Sequence, residues 1–136
     1  MSAQVFTNIE KALQRVLNSI SGKPKIQFEN DTEYTPVIGT KYWRTKNIGT
    51  TDDIVTVSRL HRHQGIFQVS VFAPKAGSNA VILTDLNAIY NAYNSMLSLY
   101  EGDIRVDIGA TPRGPILVQD VWAQGTLSIY YSCYTH

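Results

Sequence analysis

At 136 residues, the chain fits one compact domain spanning 1–136, because a single core normally serves roughly 100–200 residues before a chain divides. Its 43% hydrophobic and 17% charged residues, with a formal charge of +1, exclude collagen-like, membrane-spanning and strongly basic nucleic-acid-packing proteins. The lone cysteine, Cys133, cannot close an intrachain disulfide and reads as a small strand hydrophobe, compatible with a reducing compartment.

The opening segment, Met-Ser-Ala-Gln-Val-Phe, has no basic stretch followed by an apolar run, so the expected site of action is where the chain is made or within a larger assembly. Val5, Ile9, Leu13, Val16, Leu17 and Ile20 recur at intervals of three and four, which predicts an amphipathic helix. Ser2, or Thr7 with Glu10, offers its cap, and Gly22 with Pro24 its stop. Ile26 to Phe28 reads as a short strand and Glu29 to Thr40 as a loop. Lys41 to Ile48 and Ile54 to Leu60 read as two strands, with Asp52-Asp53 as turn residues between them. His61-Arg62-His63-Gln64-Gly65 interrupts the apolar pattern and reads as a hairpin turn leading into the alternating strand Phe67, Val69, Val71, Ala73.

Ile82, Leu86, Ile89, Tyr93, Met96 and Tyr100 step along a second helix ending at Gly102. Leu83, Tyr90 and Leu97 widen its apolar stripe, the pattern of a helix laid against a sheet. Ile104, Val106 and Ile108 alternate as a strand, Thr111-Pro112-Arg113-Gly114-Pro115 predicts a turn, and Ile116 to Gln119 a further strand. Leu127, Ile129, Tyr131 and Cys133 then share one face of a closing strand, with Ser128, Tyr130, Ser132 and Tyr134 on the other. The expected order is α-β-β-β-α-β-β-β, an α+β fold with two helices on a mostly antiparallel or mixed sheet.

Chemistry-bearing constellations are sparse. His61 and His63 would project from one strand face, yet a metal needs a third ligand and Arg62 adds a repelling cation between them. Asp103, Arg105 and Asp107 share a face and read as mutual charge neutralisation rather than a carboxylate pair for acid–base work. The chain carries no Walker-type phosphate loop, Gly-x-Ser-x-Gly elbow, His-Glu-x-x-His helix or Cys-x-x-Cys pair. The expectation is a protein with no catalytic residue, cofactor or metal. Between Lys41 and Gly65, Lys41, Arg44, Lys46, Arg59 and Arg62 outweigh Asp52 and Asp53, a local charge of +3. With Tyr42 and Trp43 nearby, a nucleic-acid-binding module is an alternative reading, although such binders normally carry a denser basic face.

The segment from Arg62 through Gly65-Ile66-Phe67-Gln68-Val69 to Pro74, followed by a Gly-containing loop and an amphipathic helix, resembles the tail terminator proteins of tailed phages. The likeness extends to the whole order of elements. It implies a structural virion protein that forms a ring, typically a hexamer, at the head-proximal end of a tail tube. Such a ring ends tube polymerisation and presents the head-joining surface; a neck or head-to-tail connector is the neighbouring alternative. The implied partners are other copies of the chain, the major tail tube protein and head-completion or connector proteins. No membrane is implied, and DNA enters only as it passes through the ring lumen. The implied location is the virion tail, after assembly in the host cytoplasm. Candidate interface residues are Lys41, Tyr42, Trp43 and Arg44 in the early strand and Arg59, His61, Arg62 and His63 at the hairpin.

Overall fold

The computed structural model describes residues 5–24, 26–27, 40–54, 61–74, 78–95, 98–101, 104–119 and 122–135. Helix α1 (Val5–Asn18) and strands β1 (Ile26–Gln27), β2 (Tyr42–Ile54) and β3 (His61–Pro74) are followed by helix α2 (Ser78–Asn94). Strands β4 (Ser98–Glu101), β5 (Ile104–Ile108), β6 (Leu117–Gln119) and β7 (Trp122–Thr135) complete the chain. The sheet runs β1-β2-β3-β7-β5-β4, with β6 also on β7; β1 pairs parallel with β2 and the remaining pairs are antiparallel. This is the expected α+β class and order, with one strand more among the described residues than the sequence suggested.

Alternation decides which face is buried. Phe67, Val69, Val71 and Ala73 of β3 lie in register with Ile129, Leu127, Gly125 and Ala123 of β7, and all are buried. Both helices cover this face. Ile9, Ala12, Leu13, Val16 and Leu17 form the buried stripe of α1, while Ile82, Leu86, Ile89 and Tyr93 form that of α2. The Tyr93 hydroxyl donates to the Leu13 carbonyl at 2.6 Å and its ring lies 6.4 Å from that of Phe67, so one side chain ties the helices to each other and to the sheet. At Gly125 the sheet comes so close to α2 that a Cβ would stand 2.5 Å from Ile82 Cγ2.

Several local expectations need correction. Thr7 lies inside α1 and is exposed, so it does not cap the helix; Ser2 falls outside the described residues. Gly22 has the expected positive φ of 72°, but in the turn beyond Asn18 rather than at the helix end itself. Asp52 and Asp53 are strand residues of β2 opposite His63 and Arg62, and His61–Gly65 belongs to β3 rather than to a turn. Each strand supplies the other's hydrogen-bond partners, which overrides the weak strand preference of these residues. The expected strand from Ile54 to Leu60 falls, after Ile54, outside the described residues.

Helix α2 ends at Asn94 rather than Gly102, and Leu99 and Tyr100 belong to β4. At that end Asn94 Nδ2 donates to the Tyr90 carbonyl and Ser95 Oγ to the Ala92 carbonyl, the kind of local side-chain bonding that competes with helix continuation. Leu83 and Tyr90, which read as core, face outward with 40% and 46% exposure. The Thr111–Pro115 segment makes no tight turn. It runs extended beside β7, where Tyr130 N donates to the Ala110 carbonyl at 2.9 Å and Ser128 N to the Pro112 carbonyl at 3.0 Å. A sheet edge tolerates proline when only the carbonyl is required there.

Candidate protein interface

The seven described candidate residues do not form one patch, because strand alternation sends them to opposite faces. Trp43 lies on the helix side, only 1% exposed, and its indole Nε1 donates to Asp85 Oδ2 of α2 at 3.0 Å. Lys41 Nζ reaches Asp85 Oδ1 at 3.2 Å. Both are therefore committed to holding α2 on β2, and Trp43 is core rather than contact surface. Tyr42 is also buried: its ring stacks on Phe72 at 4.8 Å and meets Trp122 edge-on at 5.4 Å.

Arg44 is exposed and lies over these rings, its guanidinium carbon 4.9 Å from the Phe72 centroid and 5.9 Å from that of Tyr42. Its Nε donates to Gln27 Oε1 at 3.2 Å, linking β2 to β1. A planar guanidinium stacked in this way keeps its charge at the surface while covering aromatic area. Of the eight, Arg44 is the one shown exposed; Arg59 falls outside the described residues.

His61 and His63 project from the helix side of β3, with ring centroids 6.1 Å apart, and His63 meets exposed Phe6 of α1 edge-on at 5.6 Å. Among the described residues no group of three or more His, Cys, Asp and Glu is placed to hold a metal. Arg62 points to the opposite face, in register with Tyr134 of β7 and Asp53 of β2. On that face, which neither helix covers, Arg44, Lys46 and Ile48 of β2 stand beside Ser70, Gln68 and Ile66 of β3, then Thr126, Ser128 and Tyr130 of β7. The Ser70 and Thr126 hydroxyls are 3.0 Å apart, and Gln124 Nε2 donates to Ser70 at 3.4 Å. The middle of this face is thus a polar, cationic band between aromatic and aliphatic ends.

The model of the family described as phage tail terminator protein matches residues 8–131. The chain belongs to the phage tail terminator family. It is accordingly a structural protein of the phage tail, located in the virion tail and interacting with other tail and head proteins. A solved structure of a protein whose name states no function is similar in fold, with TM-score 0.67 and 19% identity over 100% of this chain and 98% of the other. No curated protein matches the chain.

Sequence reading missed two internal ties of this tail terminator. Asp85, on the buried side of α2, is the acceptor for both Trp43 and Lys41. In the second, Asn47 of β2 donates to Glu10 Oε2 of α1 at 2.6 Å and accepts the Tyr131 hydroxyl of β7 at 2.7 Å. Tyr131 reaches Asn47 by lying across Gly65 of the intervening strand, where a Cβ would be 2.4 Å from its hydroxyl. The spacing Gly65 opposite Tyr131 is the signal, but it becomes visible only once the strand register is known. The second tie borders a shallow groove of about 630 Å³ lined by Phe6, Glu10, Lys11, Gln14, Asn47 and Tyr131.

Burial drives the titration of the groups beneath. It raises the Tyr131 phenol above its ordinary range against the lowering effect of the Asn47 bond, with Glu10 and Cys133 adding to the rise. Burial, then the Asp107 carboxylate, pushes the Cys133 thiol up to about 11. A thiol so held is protonated at neutral pH and is a poor nucleophile.

Proposed function

We propose that this tail terminator closes into a ring, expected to be a hexamer, on the head-proximal end of the tail tube. There it stops addition of tube subunits and offers the surface to which the head joins. The family match across residues 8–131 carries the reading. Size supports it: a domain with a radius of gyration of about 14 Å cannot by itself encircle a channel that passes DNA. The protein acts by binding rather than catalysis and needs no cofactor. One ring surface meets the last layer of major tail tube protein and the other the head-completion or connector proteins, assembly taking place in the host cytoplasm. DNA meets it only in transit through the lumen. Selectivity for these partners comes from interface burial, with charges such as Arg44 and Lys46 setting register.

Deletion of the gene in its phage tests the reading. The expected phenotype is headless tails of irregular length, measured by negative-stain electron microscopy, with normal length restored by the purified protein. Tails of normal length that lack heads move the protein to the neck as a connector, and normal virions refute any role in completing the tail.

A further inference from the structure

Strand β4 ends the sheet, and among the described residues no further strand pairs with its outer side. Such an edge presents unpaired backbone groups, a template to which another extended chain can add. The register identifies these groups. Gly109 N donates to the Tyr130 carbonyl of β7 at 2.8 Å. By alternation along β5, Asp107 and Arg105 also turn their backbone groups to β7, whereas Val106 and Ile104 turn theirs to β4. Leu99 and Glu101 take up the bonds that β5 offers, and Ser98 and Tyr100 turn N–H and C=O to the outer edge.

Arg15 stands against that outward row. Its Nη2 donates to the Tyr100 carbonyl, and its Nη1 pairs with the Glu101 carboxylate. Helix α1 sets this position: Val16 and Leu17 are buried in the core and the Leu13 carbonyl accepts from Tyr93, which fixes the last turn from which Arg15 projects. As a stabiliser the ion pair is minor. The Arg15 side chain is 53% exposed, and water and side-chain entropy offset most of the attraction in such a pair. Its geometry matters more. A planar fork tied at two points occupies the outward Tyr100 carbonyl and puts charge where an incoming strand would lay its own backbone. Strand β4 itself contains neither the lysine nor the proline that commonly blunts an edge, and Tyr100 beside the outward groups is 64% exposed.

We infer that Arg15 is a guard on the sheet, closing the β4 edge against strand addition by another extended chain. Without the guard, the chain at hand in a pure sample is β4 of another copy. The row fits itself: two antiparallel β4 strands about a two-fold axis place Ser98 of each opposite Tyr100 of the other, so the outward groups bond reciprocally. The inference stands apart from the ring reading, because it concerns a contact that the native subunit avoids.

The test compares full-length R15A with the wild type by sedimentation velocity over a concentration series, with native fold checked by far-UV circular dichroism and thermal midpoint. R15A is expected to add a species of twice the mass of the wild-type particle, its association constant raised about tenfold or more. E101A, which frees the guanidinium from its second tie, should add the same species with a smaller rise, and it decides the matter if R15A folds poorly. R15A/S98P should return to the wild-type distribution, because proline has no N–H to offer at an outward position. R15A and E101A distributions that match the wild type at every concentration overturn the guard. A doubled species that persists in R15A/S98P overturns the β4 edge as the surface that pairs.

Discussion

Replacing Asp85 with alanine removes the acceptor on which α2 is anchored. Trp43 is 1% exposed and donates to this carboxylate at 3.0 Å, so the substitution leaves a buried indole N–H with no partner. A hydrogen bond to a charged group contributes roughly 1.5–3 kcal/mol, most of it the cost of leaving the surviving partner unsatisfied. The Lys41 pair adds less, because its side chain is 38% exposed and can hydrate when released; such pairs contribute about 0–1 kcal/mol. The expected loss for D85A is about 2–3 kcal/mol, whereas D85N keeps an oxygen to accept from Trp43 and should lose about 1 kcal/mol or less. Urea unfolding followed by far-UV circular dichroism measures both, and with a slope of about 1.5–2 kcal/mol per molar the D85A midpoint falls by about 1–2 M. A cycle with W43F should return a coupling of about 1 kcal/mol or more. A D85A midpoint within about 0.3 M of wild type, or D85N as damaging as D85A, would refute the anchoring role.

Three further outcomes follow from the same core. G65A forces the Tyr131 ring off β3 and breaks its bond to Asn47, an expected cost of about 1–3 kcal/mol by thermal or urea melting; adding Y131F should reduce the further loss, since the hydroxyl no longer has a bond to lose. G125V drives a branched side chain into Ile82 and Leu86, with an expected overpacking cost of about 1–3 kcal/mol read from the urea midpoint. In alkali, the folded state holds protons on Cys133, Tyr131 and Tyr93 more tightly than the unfolded chain does. This stabilisation is complete below about pH 9 and is lost as pH rises towards and beyond 11, as a melting series from pH 8 to 11 should show. Cys133 should accordingly react with a thiol reagent at pH 8 only at the rate of unfolding.

The parts of this fold that were legible in the sequence are those with one buried and one open face. Phe67 to Ala73 and Leu127 to Cys133 alternate because the helices cover one side of the sheet, and α1 repeats at three and four because Ile9, Leu13, Val16 and Leu17 pack on that side. Strand β4 was hidden because Met96 and Tyr100 continue the helical spacing by coincidence. The stop was written in Asn94 and Ser95, whose side chains bond back to the last turn. The length of β2 was hidden for another reason: Asp52 and Asp53 are poor strand residues that acquire their structure from partners on β3. The placement of the candidate interface residues was least legible, since a cluster such as Lys41 to Arg44 shows its chemistry but not the face on which each residue lands. Tyr42 and Trp43 turned inward, and the acidic partner of Trp43 stands 42 positions away on α2.

These internal ties also fix how the exposed side chains of α2 are held. A helix keeps its exposed apolar side chains in a fixed orientation only when its inner side is anchored, and a surface ordered in advance loses less free energy when any partner arrives. Asp85 pins the first half of α2 to β2, Tyr93 pins its second half to α1, and the close approach at Gly125 lets the middle lie directly on β7. The inner side of the helix is thereby fixed at three points along its length, while Val81, Leu83 and Tyr90 remain outside. Loss of the Asp85 anchor should therefore loosen the outer surface of α2 as well as lower stability, seen as faster amide hydrogen exchange across Ser78–Asn94 in D85A than in the wild type.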